Sequence, residues 1–493
     1  MTTPHTVTTP YAAAAPQFGR RSALAALAAT ALLTAAGTAP ARAATRAAAP
    51  PSPPGRPPRL MLPAPTGPHP VGTTTLHLVD PARPDRWAPT PRPRELRTRL
   101  WYPAARVAGH PRAPWMSPAE TAHLETAYFQ VPAAGLDWPT THAHTDAPAE
   151  TSCRHPVVLN SHGSGGDSAF NTALAEELAS HGHVVGAGGP PPPPPRRGGG
   201  GPPPARPRPI APARARPPAP RPRPRGPPPV EQNPPGSGGD SAFNPARAEE
   251  LASPGHVVAA VDHTFDAGEI EFPGHRLEVR DKAAVQAMTD ADIVAYRAAD
   301  VRLVLDRLTD LAAGADPDAD HRPLPAGLAQ ALDPEAVAMF GHSMGGATTA
   351  QALHDDPRIR AGAVLDGPLF GTCATADQPR PLLLMASTWA SPARDAMWDT
   401  LWPHLTGWRR RLTLTRSGHL SYTDLQLLVP QGQDVIAWPA DQLEHFLGTG
   451  DPLRAVTAQR AYLTAYFQLH LRRRPTTLFD APSPHYPEIT LDA

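Results

Sequence analysis

From about residue 71 onward, the apolar positions of the chain follow the two periods that mark strands and helices. Residues 73–79 and 97–102 alternate between apolar and polar side chains, as half-buried strands do. Residues 156–160 form a short, mostly apolar run, which is typical of a strand buried on both faces. Apolar side chains three and four positions apart then predict a helix over residues 289–311.

The second half of the chain continues this alternation. Helices are predicted from about residue 344 and over residues 452–471. Short apolar runs predict four strands between them and just before them, at residues 336–340, 361–365, 382–385 and 412–415. Strands that alternate with helices predict an α/β protein with a mostly parallel sheet and helices on both faces.

A near-identical block interrupts this pattern. Residues 157–185 recur at residues 230–258, a displacement of 73 residues, and a Pro-, Gly- and Arg-rich stretch separates the copies. Two copies are too few for a solenoid. Removing residues 186–258 restores a strand–helix–strand unit with connections of ordinary length. We therefore interpret residues 186–258 as a duplicated block with a low-complexity insertion, or as an error in the underlying sequence.

The two copies differ in their suitability for a helix. The second has Pro245 and Pro254, and a proline inside a helix removes a hydrogen bond and clashes with the preceding turn. We therefore expect the first copy to form the helix, over residues 168–180. The second copy runs on into an apolar strand at residues 256–261, and residues 186–235 are expected to loop out as disordered or polyproline-like chain.

The amino terminus has the pattern of an export signal. Arg20 and Arg21 precede an apolar run over residues 23–36, and Ala41-Arg42-Ala43 has the form of a cleavage site. We predict a signal peptide over residues 1–43 of the twin-arginine type, and therefore a secreted protein. Residues 44–70, rich in Pro and Ala, are expected to be an unstructured lead-in. Residues 71–493 form the remaining domain, in which no segment reaches the ~20 apolar residues of a transmembrane span.

Charge and cysteine content limit the classes of function. The formal net charge is zero, but residues 186–230 carry nine arginines and no acidic residue, so the rest of the chain has an excess of nine acidic residues. That excess argues against a nucleic-acid-binding protein. Cys153 and Cys373 could form one disulfide, although we expect none, because the strands they flank need not be neighbours. Neither cysteine has the spacing of a metal cluster, so no metal is expected.

The segment Gly341-His342-Ser343-Met344-Gly345 matches the pattern G-x-S-x-G, between a predicted strand and a predicted helix. A serine in this context stands on a sharp turn, where side chains in place of the flanking glycines would collide with nearby backbone. The dipole of the following helix favours an anionic intermediate. We therefore predict that Ser343 is a nucleophile.

A serine nucleophile needs a base, and the base needs an acid that orients it. Asp366 directly follows the strand at residues 361–365, and His419 follows the strand at residues 412–415. Both lie at carboxyl ends of strands, where α/β sheets carry their functional loops. We predict Asp366 as the acid and His419 as the base, with Asp395 and Asp399 as weaker alternatives for the acid.

A glycine-rich turn at residues 161–166 follows the strand at residues 156–160. Such a turn can direct a backbone N–H at the site, and the N–H of Ser164 is expected to form an oxyanion hole with that of Met344. A phosphate-binding loop is the alternative, but no G-K-[ST] follows. Substrate-contacting residues are not identified. Asp262, His263 and Trp389 follow strands, and each is equally compatible with a place in the substrate pocket and with a structural role.

These residues carry a family resemblance over roughly residues 71–475, the insertion excepted. The segments LWYPA (100–104), SHG (161–163), GHVVAAVDH (255–263), GHSMGGAT (341–348), VLDGPLFG (364–371) and GHLSYTD (418–424) resemble the plasma-type platelet-activating-factor acetylhydrolases and their secreted bacterial relatives. The resemblance implies an α/β-hydrolase fold and a catalytic triad of Ser343, Asp366 and His419. It also implies hydrolysis of short or oxidised acyl chains from phospholipids, without a metal or another cofactor.

Two other functions remain open. GHSMGG also occurs in secreted bacterial cutinases and polyester hydrolases, so a cutinase-like esterase is one alternative. The other is an inactive product of a gene disrupted by the duplicated insertion, with the triad present and the core damaged.

Overall fold

The order of strands and helices along the chain follows the hydrophobic pattern. The computed structural model describes residues 57–181 and 255–492. The strands of this part are β1 (Val71–Pro84), β2 (Pro93–Pro103), β3 (Arg112–Pro114), β4 (Thr140–Thr145), β5 (His155–Ser161), β6 (Val257–Asp262), β7 (Glu269–Phe272), β8 (Arg276–Val279), β9 (Leu332–His342), β10 (Ile359–Leu365), β11 (Leu382–Ser387), β12 (Arg409–Leu414) and β13 (Ile489–Asp492).

The α-helices of the same residues are α1 (Pro118–His123), α2 (Thr172–Ser180), α3 (Lys282–Gln286), α4 (Asp290–Ala312), α5 (Leu328–Ala331), α6 (Met344–Asp355), α7 (Pro392–Leu401), α8 (Leu425–Gln431), α9 (Gln433–Ile436), α10 (Ala440–Leu447) and α11 (Pro452–Arg472). A π-helical segment (Leu124–Phe129) continues α1, and short 3₁₀ helices occur at Ser168–Asn171, Thr372–Ala374, Trp402–His404 and His419–Tyr422. The predicted helices at residues 289–311, 344 onward and 452–471 are confirmed as α4, α6 and α11.

Eleven of these strands form one sheet in the order β13-β12-β11-β10-β9-β5-β6-β2-β1-β4-β3, and β7 and β8 form a separate hairpin. The six central strands from β12 to β6 are all parallel to their neighbours. The strands β2 and β13 are joined antiparallel to the two ends of this parallel block. The prediction of a mostly parallel sheet is therefore confirmed.

Helices cover both faces of the sheet, and neighbouring residues of one strand point into different cores. Val157 of β5 packs into one apolar cluster, with side chains of α4 such as Val304. Val158 packs into the other, with side chains of α11 such as Tyr466. Burial on both faces explains why the strand is apolar at successive positions rather than at alternate ones.

Part of the predicted unstructured lead-in is ordered. Leu60 and Leu62 are 1% and 6% exposed, so residues 57–70 contribute side chains to a core. The N–H of Leu60 donates to the carbonyl oxygen of Asp137 at 2.8 Å. The guanidinium of Arg460 donates to the carbonyl oxygen of Ala64 at 3.0 Å. The expectation was wrong for these residues because two leucines among the prolines supply apolar surface to bury. Residues 44–56 lie outside the described residues.

The two copies of the duplicated block contribute different elements. The first copy supplies α2 and the 3₁₀ turn before it, and the second leads into β6 at Val257, as predicted. The N–H of His256 donates to the carbonyl oxygen of Leu178 at 3.1 Å, so the chain returns close to where it left. Two predicted segments lie outside the described residues. They are the signal peptide at residues 1–43 and the loop at residues 186–235, which is part of the stretch 182–254.

Two further expectations concern single features. Cys153 and Cys373 are both free thiols. No helix of residues 57–181 and 255–492 is long and apolar enough to cross a membrane.

Candidate active site

Ser343 stands on a strained turn between β9 and α6. Its backbone has φ 56° and ψ −123°, and strain of this kind in a non-glycine residue costs about 1–3 kcal/mol. A Cβ on Gly341 would collide with the carbonyl oxygen of Gly345, and one on Gly345 would collide with that of Ser161. The glycines of the motif are therefore required by close approach of the backbone, as predicted.

His419 and Asp366 form a hydrogen-bonded pair. Nδ1 of His419 lies 2.6 Å from Oδ2 of Asp366, whose side chain is fully buried at the end of β10. The two alternative acids are engaged elsewhere: both Asp395 and Asp399 form ion pairs with Arg411. Of the three candidate acids, Asp366 is the one that is hydrogen-bonded to His419.

Three other groups donate to the Asp366 carboxylate. They are the N–H of Ser387 at 2.8 Å, the hydroxyl of Ser387 at 2.9 Å and the guanidinium of Arg394. Burial raises the pKa of Asp366, but the hydrogen bond and charge of His419, with the charge of Arg394, outweigh burial and lower it below its usual value. The carboxylate is therefore held ionised. Sequence reasoning missed Arg394, because nothing in the sequence relates a residue of α7 to a carboxylate 28 positions earlier.

The loop that carries His419 is attached to the serine turn through His342. Nε2 of His342 donates to the carbonyl oxygen of His419 at 2.8 Å. Burial and the charge of His419 lower the pKa of His342 to about 3, so the ring stays neutral. The indole of Trp389 lies 5.4 Å from the His419 ring, measured between centroids. Trp389, one of three residues with an open role, therefore lies at the site.

The glycine-rich turn after β5 lies against Ser343. A Cβ on Gly163 would be 3.3 Å from the Cβ of Ser343. The next residue, Ser164, is fixed by its hydroxyl, which donates to Asp266 at 3.1 Å and accepts from Arg280 at 2.6 Å. Met344 is the first residue of α6, so its N–H is one of those that helix geometry leaves without an intrahelical acceptor. Both predicted oxyanion donors belong to backbone segments that meet at Ser343.

A buried arginine holds this turn from below. Arg297 of α4 donates to the carbonyl oxygen of His162 at 2.7 Å and pairs with Asp266 at 2.5 Å. Arg297 and Asp266 are both 0% exposed. Burial raises the pKa of Asp266, but the charges of Arg297 and Arg280 lower it to about 2. The turn is thus fixed by an ion pair that remains charged at neutral pH.

A second Ser–His–Asp set lies beneath the turn. The hydroxyl of Ser161 lies 2.9 Å from Nε2 of His263, and Nδ1 of His263 lies 2.9 Å from Asp300. All three residues are 0% exposed. Burial and the charge of Arg297 lower the pKa of His263 to about 4. This set has no access to solvent, so we assign His263 a structural role.

Asp262, the remaining residue with an open role, is also structural. Its carboxylate pairs with Arg97 at 2.7 Å and accepts from the N–H of Ser168 at 2.6 Å. It therefore connects the end of β6 to β2 and to the turn before α2.

A cleft of about 810 Å³ lies along β1 and β2, away from the candidate residues. Its lining includes Thr75, Arg99, Trp101 and Glu271, but not Ser343, Asp366 or His419. The hydrogen-bonded His419–Asp366 pair and the backbone of Ser343, and not the size of a cavity, therefore single out the candidate residues.

Comparison with known proteins bears on the family and the fold of the chain. A family model described as platelet-activating factor acetylhydrolase, isoform II, matches residues 56–188 and 235–436, which is well over half of the chain. The chain is 23% identical over 261 residues to a probable 1-alkyl-2-acetylglycerophosphocholine esterase of Arthroderma benhamiae. It is 25% identical over 255 residues to the platelet-activating factor acetylhydrolase of Bos taurus.

These alignments are partial. They cover 49% and 50% of this chain, and 60% and 43% of the two relatives. A solved ferulic acid esterase from Streptomyces cinnamoneus is similar over a longer span, with 30% identity, a TM-score of 0.63, and 88% of this chain and 99% of that one covered. The fold is therefore that of an α/β-hydrolase, as the sequence resemblance implies.

Proposed function

This chain belongs to the platelet-activating factor acetylhydrolase isoform II family, and we propose that it is a serine esterase that hydrolyses phospholipids carrying short or oxidised acyl chains. The observation that carries the proposal is the hydrogen bond between His419 and the buried Asp366, beside the strained turn of Ser343, in a chain of this family. The proposed chemistry needs neither a metal nor an organic cofactor, since the three side chains supply a nucleophile, a base and an acid.

In the proposed mechanism, His419 accepts the proton of the Ser343 hydroxyl as the oxygen attacks the ester carbonyl. Asp366 keeps the imidazole in the required tautomer and stabilises the imidazolium that forms. His419 then returns the proton to the leaving alcohol, which leaves an acyl-serine. Water, deprotonated by His419, hydrolyses the acyl-serine and regenerates the hydroxyl.

The N–H groups of Ser164 and Met344 are the proposed donors to the oxyanion. Donors fixed before the reaction stabilise developing charge without reorganising, and removal of one such donor costs ~10²–10³ in kcat in other enzymes. The support here is rigidity. The side chain of Ser164 is held between Asp266 and Arg280, and Met344 is fixed by the start of α6.

Ser161 is the rival nucleophile, because its hydroxyl is hydrogen-bonded to His263, which in turn is hydrogen-bonded to Asp300. Its hydroxyl lies inside a strand that is paired on both sides, and no part of Ser161, His263 or Asp300 is exposed. An ester could not reach it without opening the sheet. Ser343 is partly exposed and its backbone projects it out of the strand, so we favour Ser343.

A second substrate class is favoured by two observations. The solved ferulic acid esterase is 30% identical to this chain and its structure matches 88% of it. Trp389 beside His419 offers an aromatic surface that would suit an aromatic acyl group. Feruloyl esters are therefore the alternative substrate.

The test compares Ser343→Ala with Ser161→Ala. Each purified variant is assayed on p-nitrophenyl acetate, on a phosphatidylcholine with an sn-2 acetyl group, and on methyl ferulate. We expect Ser343→Ala to lose about 10⁴-fold or more in kcat, because only oxyanion and binding effects would remain. Ser161→Ala should stay within about tenfold of the wild type, since it loses one buried hydrogen bond. A loss below about tenfold in Ser343→Ala would reject the nucleophile. A larger kcat/KM on methyl ferulate than on the phospholipid would reject the lipid substrate.

Secretion is a further part of the proposal. The paired arginines, apolar run and cleavage pattern of residues 1–43 support export through the twin-arginine route. Expression of the full chain in a bacterium with and without that pathway, followed by immunodetection outside the cytoplasm, tests it.

A further inference from the structure

Glu150, Cys153 and His155 come together at the amino-terminal end of β5, at the edge of the sheet opposite the candidate active site. One ligand atom from each, namely a carboxylate oxygen, Sγ and an imidazole nitrogen, lies within 4.8 Å of the other two. His155 is the first residue of β5 and Ser161 the last, so a seven-residue strand of about 20 Å separates this cluster from the serine turn.

The hydrogen bonds of His155 favour a cation at the centre of this cluster. Nδ1 lies 3.3 Å from the carbonyl oxygen of Gly255, which can only accept, so Nδ1 carries a proton. In the neutral ring Nε2 then has a lone pair. Nε2 lies 3.3 Å from the backbone oxygen of Glu150 and 3.3 Å from its carboxylate oxygen Oε2. A ring nitrogen that faces two oxygens requires a positive charge between them, which either a proton or a metal ion can supply.

The other two ligands leave room for that charge. Oε2 of Glu150 is buried and has no hydrogen-bond partner among the described residues, while Oε1 accepts from the N–H of Ser152 at 2.6 Å. Cys153 is a free, partly exposed thiol and lines a surface cavity of about 420 Å³. The cavity gives an ion access from solvent. A ligating histidine that donates its second nitrogen to a backbone carbonyl is also the usual arrangement around protein-bound metals.

We propose that Glu150, Cys153 and His155 bind a zinc ion, with water as a fourth ligand. Thiolate and imidazole select zinc over magnesium or calcium, and the carboxylate completes a three-residue set. On binding, the thiol of Cys153 releases its proton to solvent as the sulfur–zinc bond forms. The ion joins the loop before β5 to the start of that strand. Its role is therefore structural, and it is independent of the proposed esterase activity.

Cobalt titration tests this proposal, because a cysteine thiolate bound to Co²⁺ gives a near-ultraviolet charge-transfer band. The full chain is stripped with a chelator and titrated with CoCl₂, and then with ZnCl₂. We expect a thiolate band that saturates at one equivalent and disappears when zinc is added. The chain has two cysteines in all, so the band can be assigned by substitution.

Two matched variants decide the assignment. Cys153→Ser should abolish the band, whereas Cys373→Ser, which changes the other cysteine, should retain it. Glu150→Gln should weaken cobalt binding by about tenfold or more, since one of three ligands is lost. The thermal unfolding midpoint should rise with zinc in the wild type and in Cys373→Ser, but not in Cys153→Ser. Esterase activity on p-nitrophenyl acetate should equal that of the wild type in all three variants, which would show that the variants are folded. A folded wild type without the band, or a band that survives in Cys153→Ser, would overturn the proposal.

Discussion

Substitution of Arg394 offers a sharp test of the candidate triad. Arg394 contacts the carboxylate that orients His419, and replacing it leaves the three side chains of the triad unchanged. Its guanidinium pairs with Oδ1 of Asp366, while His419 occupies Oδ2. Arg394→Met removes the cation and keeps much of the side-chain volume. The carboxylate keeps its bonds from Ser387 and His419, so the local structure should persist.

The size of the effect follows from the geometry. The guanidinium of Arg394 and an imidazolium at His419 contact different oxygens of the Asp366 carboxylate, so their charges are about 6 Å apart. At an effective dielectric constant of ~20 this separation corresponds to ~3 kcal/mol of repulsion. Partial solvent screening reduces the repulsion to ~1.4 kcal/mol, which is equivalent to about tenfold in rate.

The sign follows from two effects that act in one direction. Without Arg394 the carboxylate is less neutralised, so it holds a protonated imidazole more tightly. Arg394 also contributes to the lowered pKa of Asp366, so its removal lets the carboxyl take up a proton at higher pH. Both effects weaken the base on the acid side of the pH profile. We therefore expect kcat/KM of Arg394→Met, relative to its own plateau at high pH, to be about tenfold lower on the acid side than that of the wild type, with the plateau itself changed less than about tenfold.

Arg411→Met is the matched control. Arg411 pairs with Asp395, as Arg394 does, and both guanidinium groups lie over the Trp398 ring, at 5.4 Å and 5.3 Å. Asp366 is not among the carboxylates that Arg411 pairs with, which are Asp395, Asp399 and Asp492. The assay is hydrolysis of p-nitrophenyl acetate from pH 5 to 9, with unfolding curves for each variant. If the acid limb of folded Arg394→Met coincides with those of Arg411→Met and the wild type, the electrostatic reasoning is wrong.

Three other outcomes are expected. Asp366→Asn should lower kcat by about 10⁴-fold, because the amide favours the wrong tautomer of His419, and the variant should keep a cooperative unfolding transition. Full activity in that variant, with loss of activity in Asp395→Ala or Asp399→Ala, would assign the acid to one of those residues. Activity should survive EDTA and be abolished by a serine-directed organophosphonate. Loss of activity in a chain that stays folded during chelation, with restoration by zinc or calcium, would contradict a metal-free mechanism. Deletion of residues 186–258 should leave an active enzyme at least as stable as the full chain. In that variant residues 183–185 (His-Val-Val) replace the identical residues 256–258 at the start of β6, and His256 lies so close to Leu178 that a short connection suffices. A soluble deletion variant without esterase activity would show that the segment is needed.

The sequence predicted those parts of the fold in which local pattern and tertiary burial agree. The strands β5, β9, β10 and β11 are apolar runs because they are buried on both faces, and each ends at a turn with a recognisable residue pattern. The edge strands were missed. Three-residue β3 and four-residue β13 are too short to show a period, and pairing with a neighbour rather than their own residues makes them strands.

The same limit applies to the candidate site. Ser343, Asp366 and His419 each follow a predicted strand, so their convergence could be inferred from strand order alone. Arg394 lies on α7, and its contact with Asp366 depends on the packing of that helix against the end of β10. Glu150, Cys153 and His155 were passed over because their spacing matches no common metal motif. They converge because a turn folds Glu150 back onto the start of β5.

Residue types alone do not distinguish a catalytic set from a structural one in this domain, since it contains two sets of Ser, His and Asp. In the set of Ser161, His263 and Asp300, Ser161 has the backbone of an ordinary paired strand, and His263 joins the two other buried residues by hydrogen bonds. In the other, Ser343 has a positive φ that costs free energy and is tolerated because Gly341 and Gly345 allow the backbone to pack closely around it. Strain of this kind is often kept at functional sites, and here it falls on a partly exposed serine at the sharp turn between β9 and α6. The buried set, by contrast, bonds the end of β5 to His263 directly after β6, and so holds in place the turn that carries the proposed oxyanion donor Ser164. On this reasoning the two sets serve one site: Ser343, His419 and Asp366 as the proposed reacting groups, and Ser161, His263 and Asp300 as part of their support.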